Sequence, residues 1–277
     1  MFDVNSLKNS SLEGKVAIVT GSTQGLGEGV AHVFAARGIT GLVITGRNAE
    51  RGARVKADLE GKGVKTIFVQ ADLASMDDTR KVVAEADRAF RRVDVLVNSA
   101  GITDRGTIWD TSPELFDAMF AVNVRAPFFL MQDALAIMKR EKIAGSIINI
   151  ISMSGHGGQS FITAYSASKG ALITLTRNVA YSVMNHHIRV NGLTIGHMNT
   201  PGEDRIMKTY HGAEDGWLGD AEKTKPFGRL LEVDEVSRAV AYLASAESGM
   251  MTGSIIDFDQ QVRGAGNSPP APPPVEA

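Results

Sequence analysis

The sequence predicts a single α/β domain built on a doubly wound, parallel sheet of seven strands. Seven short runs of apolar, largely β-branched residues recur along the 277 residues, and stretches with helical spacing of apolar residues separate them. Runs that are almost continuously apolar are typical of parallel strands covered on both faces. Strands and helices alternate throughout and no linker interrupts them, which favours one domain. The seven runs cover residues 15–20, 41–46, 66–70, 93–98, 146–151, 188–195 and 254–259.

Composition and charge narrow the classes of function. Hydrophobic residues make up 43% of the chain and charged residues 22%, which is ordinary for a globular protein with an ample core. A formal net charge of −2 gives no electrostatic reason to expect nucleic acid or an anionic membrane as a partner. Cysteine is absent, which excludes disulfides, thiol nucleophiles and cysteine-bound metals. The first residues lack the apolar core of a signal peptide, so we expect a cytoplasmic protein.

The domain is expected to cover residues 12–260, with residues 1–11 as an N-terminal extension. Two segments depart from the strand–helix pattern. Residues 197–228 are polar, glycine-rich and weakly periodic, as in a mobile loop beside a ligand or an irregular surface excursion. Residues 264–277 hold five of the nine prolines and are expected to form a disordered or polyproline tail.

Three glycines, Gly21, Gly25 and Gly27, follow the first apolar run, and a helical stretch begins directly after them. A glycine-rich turn that opens a helix lets backbone N–H groups approach a pyrophosphate, and the helix dipole favours the negative charge. The spacing differs from the G-x-G-x-x-G of the usual dinucleotide motif. The stretch therefore predicts either a dinucleotide site or no more than a tight turn.

Polar residues after the third and fourth runs support the dinucleotide interpretation. Asp72 follows the third run, where its carboxylate could accept a hydrogen bond from an adenine amino group. Capping of the next helix by Asp72 or Ser75 is the alternative. The fourth run ends at Asn98, and the small residues after it would let backbone pass close to a ribose. Both positions lie at carboxyl ends of strands, where doubly wound sheets bind ligands.

A serine, a tyrosine and a lysine are the strongest candidates for chemistry. Tyr165 and Lys169 are four residues apart in a helical stretch and share one face, and Ser152 closes the preceding strand. An ammonium about 5 Å from a phenol, at an effective dielectric of about 20, favours the phenolate by roughly 3 kcal/mol. We therefore expect Lys169 to hold the pKa of Tyr165 below its usual value of about 10. Ser152 would then hold a substrate oxygen while Tyr165 exchanges the proton.

In this order along the chain, the motifs resemble the short-chain dehydrogenase/reductase superfamily over nearly all of residues 12–260. The resemblance implies a Rossmann-type sheet and an NAD(P)-dependent oxidoreductase acting on alcohols or carbonyl compounds. It also implies a catalytic tetrad of Asn123, Ser152, Tyr165 and Lys169, in which Asn123 holds a water of a proton relay that reaches Lys169. The motifs that carry it are TGSTQGLG (20–27), NSAG (98–101), Asn123, Ser152, YSASK (165–169) and IRVNGLTIG (188–196).

Some positions leave alternatives open or depart from the family pattern. Asn123 could only pin helix backbone, and Ser154 could replace Ser152, although the family's S-x-x-G spacing favours Ser152 with Gly155. Ser99 stands where the family usually has asparagine, and Ile195 where it has proline. The last run ends in Asp-Phe-Asp-Gln, residues 257–260, in place of the family's V-D-G-G.

The resemblance further implies which residues contact the cofactor. They comprise the glycine turn, residues after the second, third, fourth and sixth runs, and the tyrosine and lysine of the tetrad. In chain order they are Gly21, Ser22, Thr23, Gln24, Gly25, Leu26, Gly27, Arg47, Asp72, Leu73, Asn98, Ala100, Gly101, Tyr165, Lys169, Gly196 and Thr200.

The end of the second run bears on the choice between NADP and NAD. An NAD-preferring member of the family usually has an acidic residue there, which would repel a 2′-phosphate. This chain has Gly46, followed by Arg47, whose guanidinium can grip a phosphate. Against this, Gln24 stands where many NADP users carry a second basic residue, and Arg47 could be a solvated side chain. The sequence favours NADP, with NAD as the alternative.

The expected substrate is a small alcohol or carbonyl compound in contact with Ser152, His156 and Tyr165. Further polar residues lie in segments that cover the active edge in the family, and their polarity favours a sugar or polyol. The six histidines show no metal-ligand spacing, so no metal is expected. The polar candidates for the pocket are Asp104, Arg105, His156, Gln159, Glu203, Asp204, His211 and Trp217.

Three functions therefore stand side by side. The favoured one is an NADP-dependent alcohol dehydrogenase or carbonyl reductase. The others are a catalytically idle nucleotide-binding regulator, against which the intact tetrad argues, and a related epimerase or dehydratase, for whose extended substrate domain we see no room. The resemblance also implies a homo-oligomer, either a homotetramer or a dimer.

Overall fold

Strands and helices alternate along residues 10–263, the part of the chain that the computed structural model describes. The expectations for residues 1–11 and 264–277 fall almost wholly outside this part. The strands are β1 Val16–Val19, β2 Gly41–Gly46, β3 Lys65–Gln70, β4 Val95–Asn98, β5 Ser146–Ser152, β6 Arg189–Ile195 and β7 Ile255–Phe258. The α-helices of this part are α1 Gly25–Ala36, α2 Ala49–Gly61, α3 Met76–Phe90, α4 Pro113–Phe120, α5 Ala126–Arg140, α6 Thr163–Val183, α7 Pro201–His211, α8 Trp217–Lys223 and α9 Val233–Ala244.

The seven strands form one parallel sheet in the order β3-β2-β1-β4-β5-β6-β7. The predicted doubly wound sheet is confirmed, and each apolar run of the sequence corresponds to one strand. The strand order reverses between β1 and β4, so the loops that leave these two strands diverge. In such sheets the ligand site lies at the carboxyl ends of the strands beside this reversal.

The strands are apolar on both faces because helices cover the sheet from both sides. Ala17 and Val19 of β1 pack with helices α1, α2 and α9, whereas Ile18 between them packs with α3, α5 and α6. Successive side chains of a strand point to opposite faces, so both faces favour apolar residues, and a polar residue there needs a hydrogen-bond partner within the protein. No helix between residues 10 and 263 combines the length and apolarity that crossing a bilayer requires.

The prediction of an irregular loop over residues 197–228 is wrong, since this segment contains helices α7 and α8. Thr200 caps α7 by accepting a hydrogen bond from the Glu203 N–H at 3.1 Å, and Pro201 occupies the first turn. Gly212 ends the helix with a φ of +62°. A threonine cap followed by proline, and a glycine past the last turn, are helix boundary signals that identify α7 despite its weak apolar periodicity.

The turn after β4 is held by a threonine at the end of β1. The hydroxyl of Thr20, a residue only 1% exposed, accepts hydrogen bonds from the N–H groups of Ser99 and Ala100, both at 3.0 Å. The Thr20 N–H in turn donates to the Val97 carbonyl at 3.0 Å. One buried hydroxyl therefore joins the two loops that diverge at the strand reversal.

Thr20→Val is expected to lower the free energy of unfolding by about 1–3 kcal/mol, because it keeps the shape but leaves two N–H groups without their acceptor. Urea denaturation followed by circular dichroism measures the loss. Thr20→Ser keeps the hydroxyl and serves as the control, with a smaller effect. Equal stability of the valine variant and the parent would show that the hydroxyl does not hold this turn.

Candidate active site

Two of the three glycines after β1 are required by the packing of the protein itself. Gly21 has a φ of +65°, and a Cβ there would lie 2.8 Å from the Ala100 Cα. A Cβ on Gly27 would overlap the carbonyl group of Gly21. Within this turn the Ser22 hydroxyl donates to the Val19 carbonyl at 2.6 Å. The tight-turn interpretation therefore accounts for Gly21 and Gly27.

Gly25 is different, because the protein leaves the space beside it open. It has a φ of +58°, and a Cβ there would meet only Thr200, at 3.8 Å. The residue before it, Gln24, is the N-cap of α1 and makes no side-chain hydrogen bond to the helix. The first N–H groups of α1 thus lack a side-chain cap, which suits an anion such as a pyrophosphate. Thr23 and Leu26 are buried beside this turn, so their side chains face the protein.

The corner between β2 and α2 has no room for a side chain at position 46 and presents an exposed guanidinium at position 47. A Cβ on Gly46 would lie 2.6 Å from the Thr23 hydroxyl oxygen, so a larger residue requires Thr23 to move. Arg47 is exposed, and across residues 10–263 its guanidinium has no carboxylate partner. Its backbone is fixed, since its carbonyl accepts a hydrogen bond from Gln70 at 3.0 Å and Asn48 caps α2.

The contacts after β3 show which of Asp72 and Ser75 caps the next helix. Ser75 caps α3 by accepting the Asp78 N–H. Asp72 is exposed, and its Oδ1 accepts the Ala74 N–H at 3.0 Å. Leu73 beside it is buried. Asp72 is therefore not the helix cap, and its remaining acceptor capacity faces outward at the carboxyl edge of the sheet.

Asn98 is available to a cofactor only through its backbone, as expected from the sequence. Its side chain is only 2% exposed and donates to Asn149 Oδ1 at 2.8 Å, and Asn149 donates to the Thr176 hydroxyl at 2.9 Å. This chain of amides lies inside the sheet, so the Asn98 side chain does not face a ribose. Of the residues that follow it, Gly101 is exposed and lies beside the tetrad: a Cβ there would be 3.5 Å from Lys169 Nζ.

Asn123 lies in a π-helical turn, Ala121–Arg125, between α4 and α5. Its amide donates to the Ile102 carbonyl and accepts from the Ile102 N–H, both at 3.0 Å. It also donates to the Ser168 hydroxyl at 3.1 Å. Such single π turns occur frequently at functional sites. Asn123 thus pins the loop after β4 to α6, which resembles the pinning role raised as an alternative, except that the backbone it holds belongs to the loop and not to a helix.

Ser152, Tyr165 and Lys169 come together where β5 ends and α6 begins. The Ser152 hydroxyl acts on the Tyr165 phenol and favours its ionised form, which favours Ser152 over Ser154 as the partner of the phenol. Lys169 is 5% exposed, donates to the Ile150 carbonyl at 2.9 Å and lies 5.8 Å from the centre of the Tyr165 ring. The four residues of the expected tetrad therefore lie around one point on the carboxyl edge of the sheet.

Burial dominates the titration of this group. It raises the pKa of the Tyr165 phenol to about 12, although the neighbouring Ser152 acts in the opposite direction. Burial also lowers the pKa of Lys169 to about 8. The expectation that Lys169 holds the pKa of Tyr165 below its usual value is therefore wrong in this structure, because loss of solvent has the largest effect on the phenol.

Three residues expected to contact cofactor or substrate have partners within the protein. The Thr200 hydroxyl caps α7. A side chain on Gly196 would overlap the carboxylate of Asp259. The ring of His156 lies 3.1 Å from Asp257 Oδ1, so this histidine is tied to β7. Thr200 and Gly196 still lie at the carboxyl edge, whereas a substrate role for His156 requires that contact to break.

The polar pocket candidates divide into an inner and an outer set on and around α7. Arg105 and Glu203 are inner, because their charges act on the Tyr165 phenol. Asp204 is outer, since it accepts from the Trp217 indole at 2.9 Å. Two further hydrogen bonds join α7 to the loop after β4. Arg105 donates to His211 at 3.1 Å, and Tyr210 donates to Asp104 at 2.8 Å. Gln159 is exposed before α6.

Comparison with known proteins agrees with this geometry. The sequence model of the family described as short chain dehydrogenase matches residues 15–211. Galactitol 2-dehydrogenase of Agrobacterium fabrum is 32% identical over 255 residues, which cover 90% of this chain and 97% of the relative. The NADP-dependent (R)-specific alcohol dehydrogenase of Lentilactobacillus kefiri is 34% identical over 245 residues, covering 88% of this chain and 94% of the relative.

A solved structure of a related protein has the same fold. The 3-oxoacyl (acyl-carrier-protein) reductase from Agrobacterium tumefaciens, with NADP bound, superposes with a TM-score of 0.84. It is 25% identical, and the match covers 95% of this chain and 100% of that one. The chain therefore belongs to the short-chain dehydrogenase/reductase family and is an NAD(P)-dependent oxidoreductase that acts on alcohol or carbonyl groups of small molecules.

Proposed function

We propose that this protein is an NADP-dependent oxidoreductase that interconverts the alcohol and carbonyl forms of a small, polar substrate such as a sugar or polyol. The observation that carries the proposal is the position of the buried Lys169, whose Nζ lies 5.8 Å from the centre of the Tyr165 ring and donates to the backbone of the strand that ends at Ser152. A galactitol dehydrogenase and an NADP-dependent alcohol dehydrogenase among the relatives support the substrate class and the cofactor. The family resemblance also supports a homo-oligomer, a dimer or a tetramer.

The residues present fit a nicotinamide dinucleotide. Gly25 and the uncapped start of α1 would hold the pyrophosphate. Asp72 would accept a hydrogen bond from the adenine, and Gly101 would let the ribose approach Lys169. When bound, NADP supplies the acceptor or donor of the hydride, and its oxidised ring carries a positive charge.

The protein's own contribution is the transfer of a proton at the substrate oxygen. With a pKa of about 12, Tyr165 carries its proton at neutral pH and can donate it to a carbonyl oxygen. Ser152, which acts on the phenol, would hold the same oxygen in place. Asn123 joins the loop after β4 to α6 through Ile102 and Ser168, and these hydrogen bonds would support the wall of the site.

The preference for NADP rests on the corner between β2 and α2. An acidic side chain in place of Gly46 does not fit unless Thr23 moves. The exposed guanidinium of Arg47 follows directly and can bind a phosphate through two parallel hydrogen bonds. Because the Arg47 backbone is held by Gln70, the guanidinium starts from a defined point beside the expected 2′-position of the ribose.

Tyr165→Phe is expected to lower kcat/KM by about 10²–10⁴-fold or more, because it removes the exchangeable proton and little else. Binding of NADPH, followed by its fluorescence, should stay nearly unchanged. Tyr181→Phe removes the same atom from a 79% exposed position on the same helix and serves as the control. Turnover of the Tyr165 variant within tenfold of the parent would contradict the assignment and favour a nucleotide-binding regulator.

Lys169→Met is expected to remove activity and stabilise the fold at neutral pH. The pKa of Lys169 is lowered to about 8 from an ordinary value of 10.5, so the folded protein binds this proton less tightly than the unfolded chain. The charged form therefore destabilises the fold below about pH 8, and the penalty disappears as the pH rises towards 10.5. Methionine should raise the free energy of unfolding at pH 7 by roughly 1–3 kcal/mol.

Urea denaturation of parent and Lys169 variant at pH 7, 9 and 10.5 measures this effect. The difference in stability should shrink over that range, because only the parent gains stability as Lys169 loses its proton. A gain that does not vary with pH, or a loss at pH 7, would show that burial of the ammonium is not the cause.

Arg47→Ala is expected to lower kcat/KM with NADP by about thirtyfold, roughly 2 kcal/mol, and to change the value with NAD little. The comparison needs both cofactors with the same substrate. Arg51→Ala, which removes an exposed arginine one turn into α2, is the control. A parent that favours NAD tenfold, or a variant that loses both cofactors equally, would mean that Arg47 does not read the 2′-phosphate.

A further inference from the structure

A carboxylate and a guanidinium lie together beside the phenol. Glu203 is in the first turn of α7 and Arg105 is in the loop after β4, with Arg105 Nη2 3.7 Å from Glu203 Oε1. Their side chains are 21% and 16% exposed. Gly106, the residue after Arg105, pairs through its backbone with Phe161 and Thr163 at 2.9 and 3.1 Å, just before Tyr165. The pair therefore lies beside the start of the helix that carries Tyr165, where the charge of Glu203 acts to raise the pKa of the phenol and that of Arg105 acts to lower it.

Both members of the pair are held in place by neighbours. Glu203 Oε1 lies 3.0 Å from His197 Nε2, and Arg105 Nε donates to His211 at 3.1 Å. The Arg105 guanidinium also lies 5.5 Å from the centre of the Phe161 ring. Burial acts to raise the pKa of Glu203, but the His197 contact and the Arg105 charge hold it below its ordinary value. Glu203 is thus an anion with a fixed direction.

Glu203 could have a purely structural role, because a carboxylate in the first turn of a helix interacts favourably with the helix dipole. Asp204 already fills that role in the same turn, and its carboxylate faces away from the phenol towards Trp217 and Lys208. Glu203 is instead largely buried and contacts two groups outside α7, the Arg105 guanidinium and the His197 ring. The dipole accounts for an acid in this turn but not for the inward direction of Glu203.

We propose that Glu203 and Arg105 recognise a hydroxyl on the carbon next to the reacting one. Glu203 accepts the hydrogen of that hydroxyl, and Arg105 donates to its oxygen. The inference rests on the proposed function of the Tyr165 site. The expected substrates are α-hydroxy ketones and, in the reverse direction, vicinal diols.

The chemistry of the pair selects a neutral hydroxyl over other groups. An ionised carboxylate only accepts hydrogen bonds and a guanidinium only donates them, whereas a hydroxyl does both at one atom. An alkyl group at the same place would displace water from both charged side chains and offer no hydrogen bond in exchange. A substrate carboxylate would meet repulsion from Glu203, and a substrate ammonium would meet repulsion from Arg105.

The test compares ketones that differ by one hydroxyl, butan-2-one with 3-hydroxybutan-2-one and acetone with hydroxyacetone, each reduced with NADPH. The parent should favour the hydroxylated member at least about tenfold in kcat/KM, chiefly through KM. Glu203→Gln and Arg105→Met should each reduce that preference to within about threefold. Asp215→Asn, which removes a charge of the same sign from an exposed site after α7, should leave it intact.

A pH profile separates recognition from a structural role. Tyr165 is faced by Ser152, Lys169, Glu203 and Arg105, and only the last two change charge in these variants. The limb that reports Tyr165 is the one at higher pH than the transition of Lys169 near pH 8. Removing the negative charge of Glu203 should shift this alkaline limb of the kcat/KM profile to lower pH, and removing Arg105 should shift it to higher pH. A residue that only supports α7 would lower the melting temperature without moving the limb.

The outcomes distinguish this inference from the proposed function. A parent that reduces these ketones without preference for the hydroxyl, or variants that keep the preference, would overturn the inference and leave the Tyr165 chemistry standing. Reduction of none of the four ketones, together with no effect of Tyr165→Phe on any alcohol or carbonyl substrate, would overturn both. Loss of preference in both variants, with opposite shifts of the pH limb, supports the inference.

Discussion

The contact between α6 and the carboxyl end of β5 is the constraint on which the rest of the site depends. Gly155 lies so close to α6 that a Cβ there would be 3.0 Å from the carbonyl carbon of Lys169. Lys169 Nζ donates to the Ile150 carbonyl at 2.9 Å. The first contact is between backbone atoms and the second joins a side chain to the backbone, and together they set the distance from the strand that carries Ser152 to the helix that carries Tyr165.

The same contact explains why the site is electrostatically strained. Bringing α6 onto the sheet removes solvent from Lys169 and much of the solvent from Tyr165, and burial disfavours the charged form of each group. The pKa of the lysine is lowered and that of the tyrosine is raised, so both are poised to remain neutral more readily than in water. A chain selected only for stability would place an apolar residue at position 169, which indicates that this lysine is kept for chemistry.

The sequence and the structure agree where a pattern depends on neighbours along the chain and disagree where it depends on packing. Strand periods and the four-residue spacing of Tyr165 and Lys169 are local, and both were predicted. The inward turn of the Asn98 amide was not, because its partner Asn149 lies on the next strand of the sheet. The direction of the Tyr165 pKa was also missed, since a Coulomb estimate from spacing contains no desolvation. Helix α7 was missed although its threonine cap and terminal glycine are local signals.

Helix α7 contributes the charged residue Glu203 to the site, and this residue is held in place differently from Lys169 on α6. Lys169 is fixed to backbone on the sheet, whereas Glu203 is fixed to side chains of the loop after β4 and of the segment before α7. Glu203 opposes the ionisation of Tyr165 and Arg105 favours it, so the two charges act on the phenol in opposite directions while both remain available to a ligand. Opposed charges of this kind make a site polar while each offsets part of the other's effect on the proton donor. The chemistry then depends on the contact of α6 with β5, and the choice of substrate on α7.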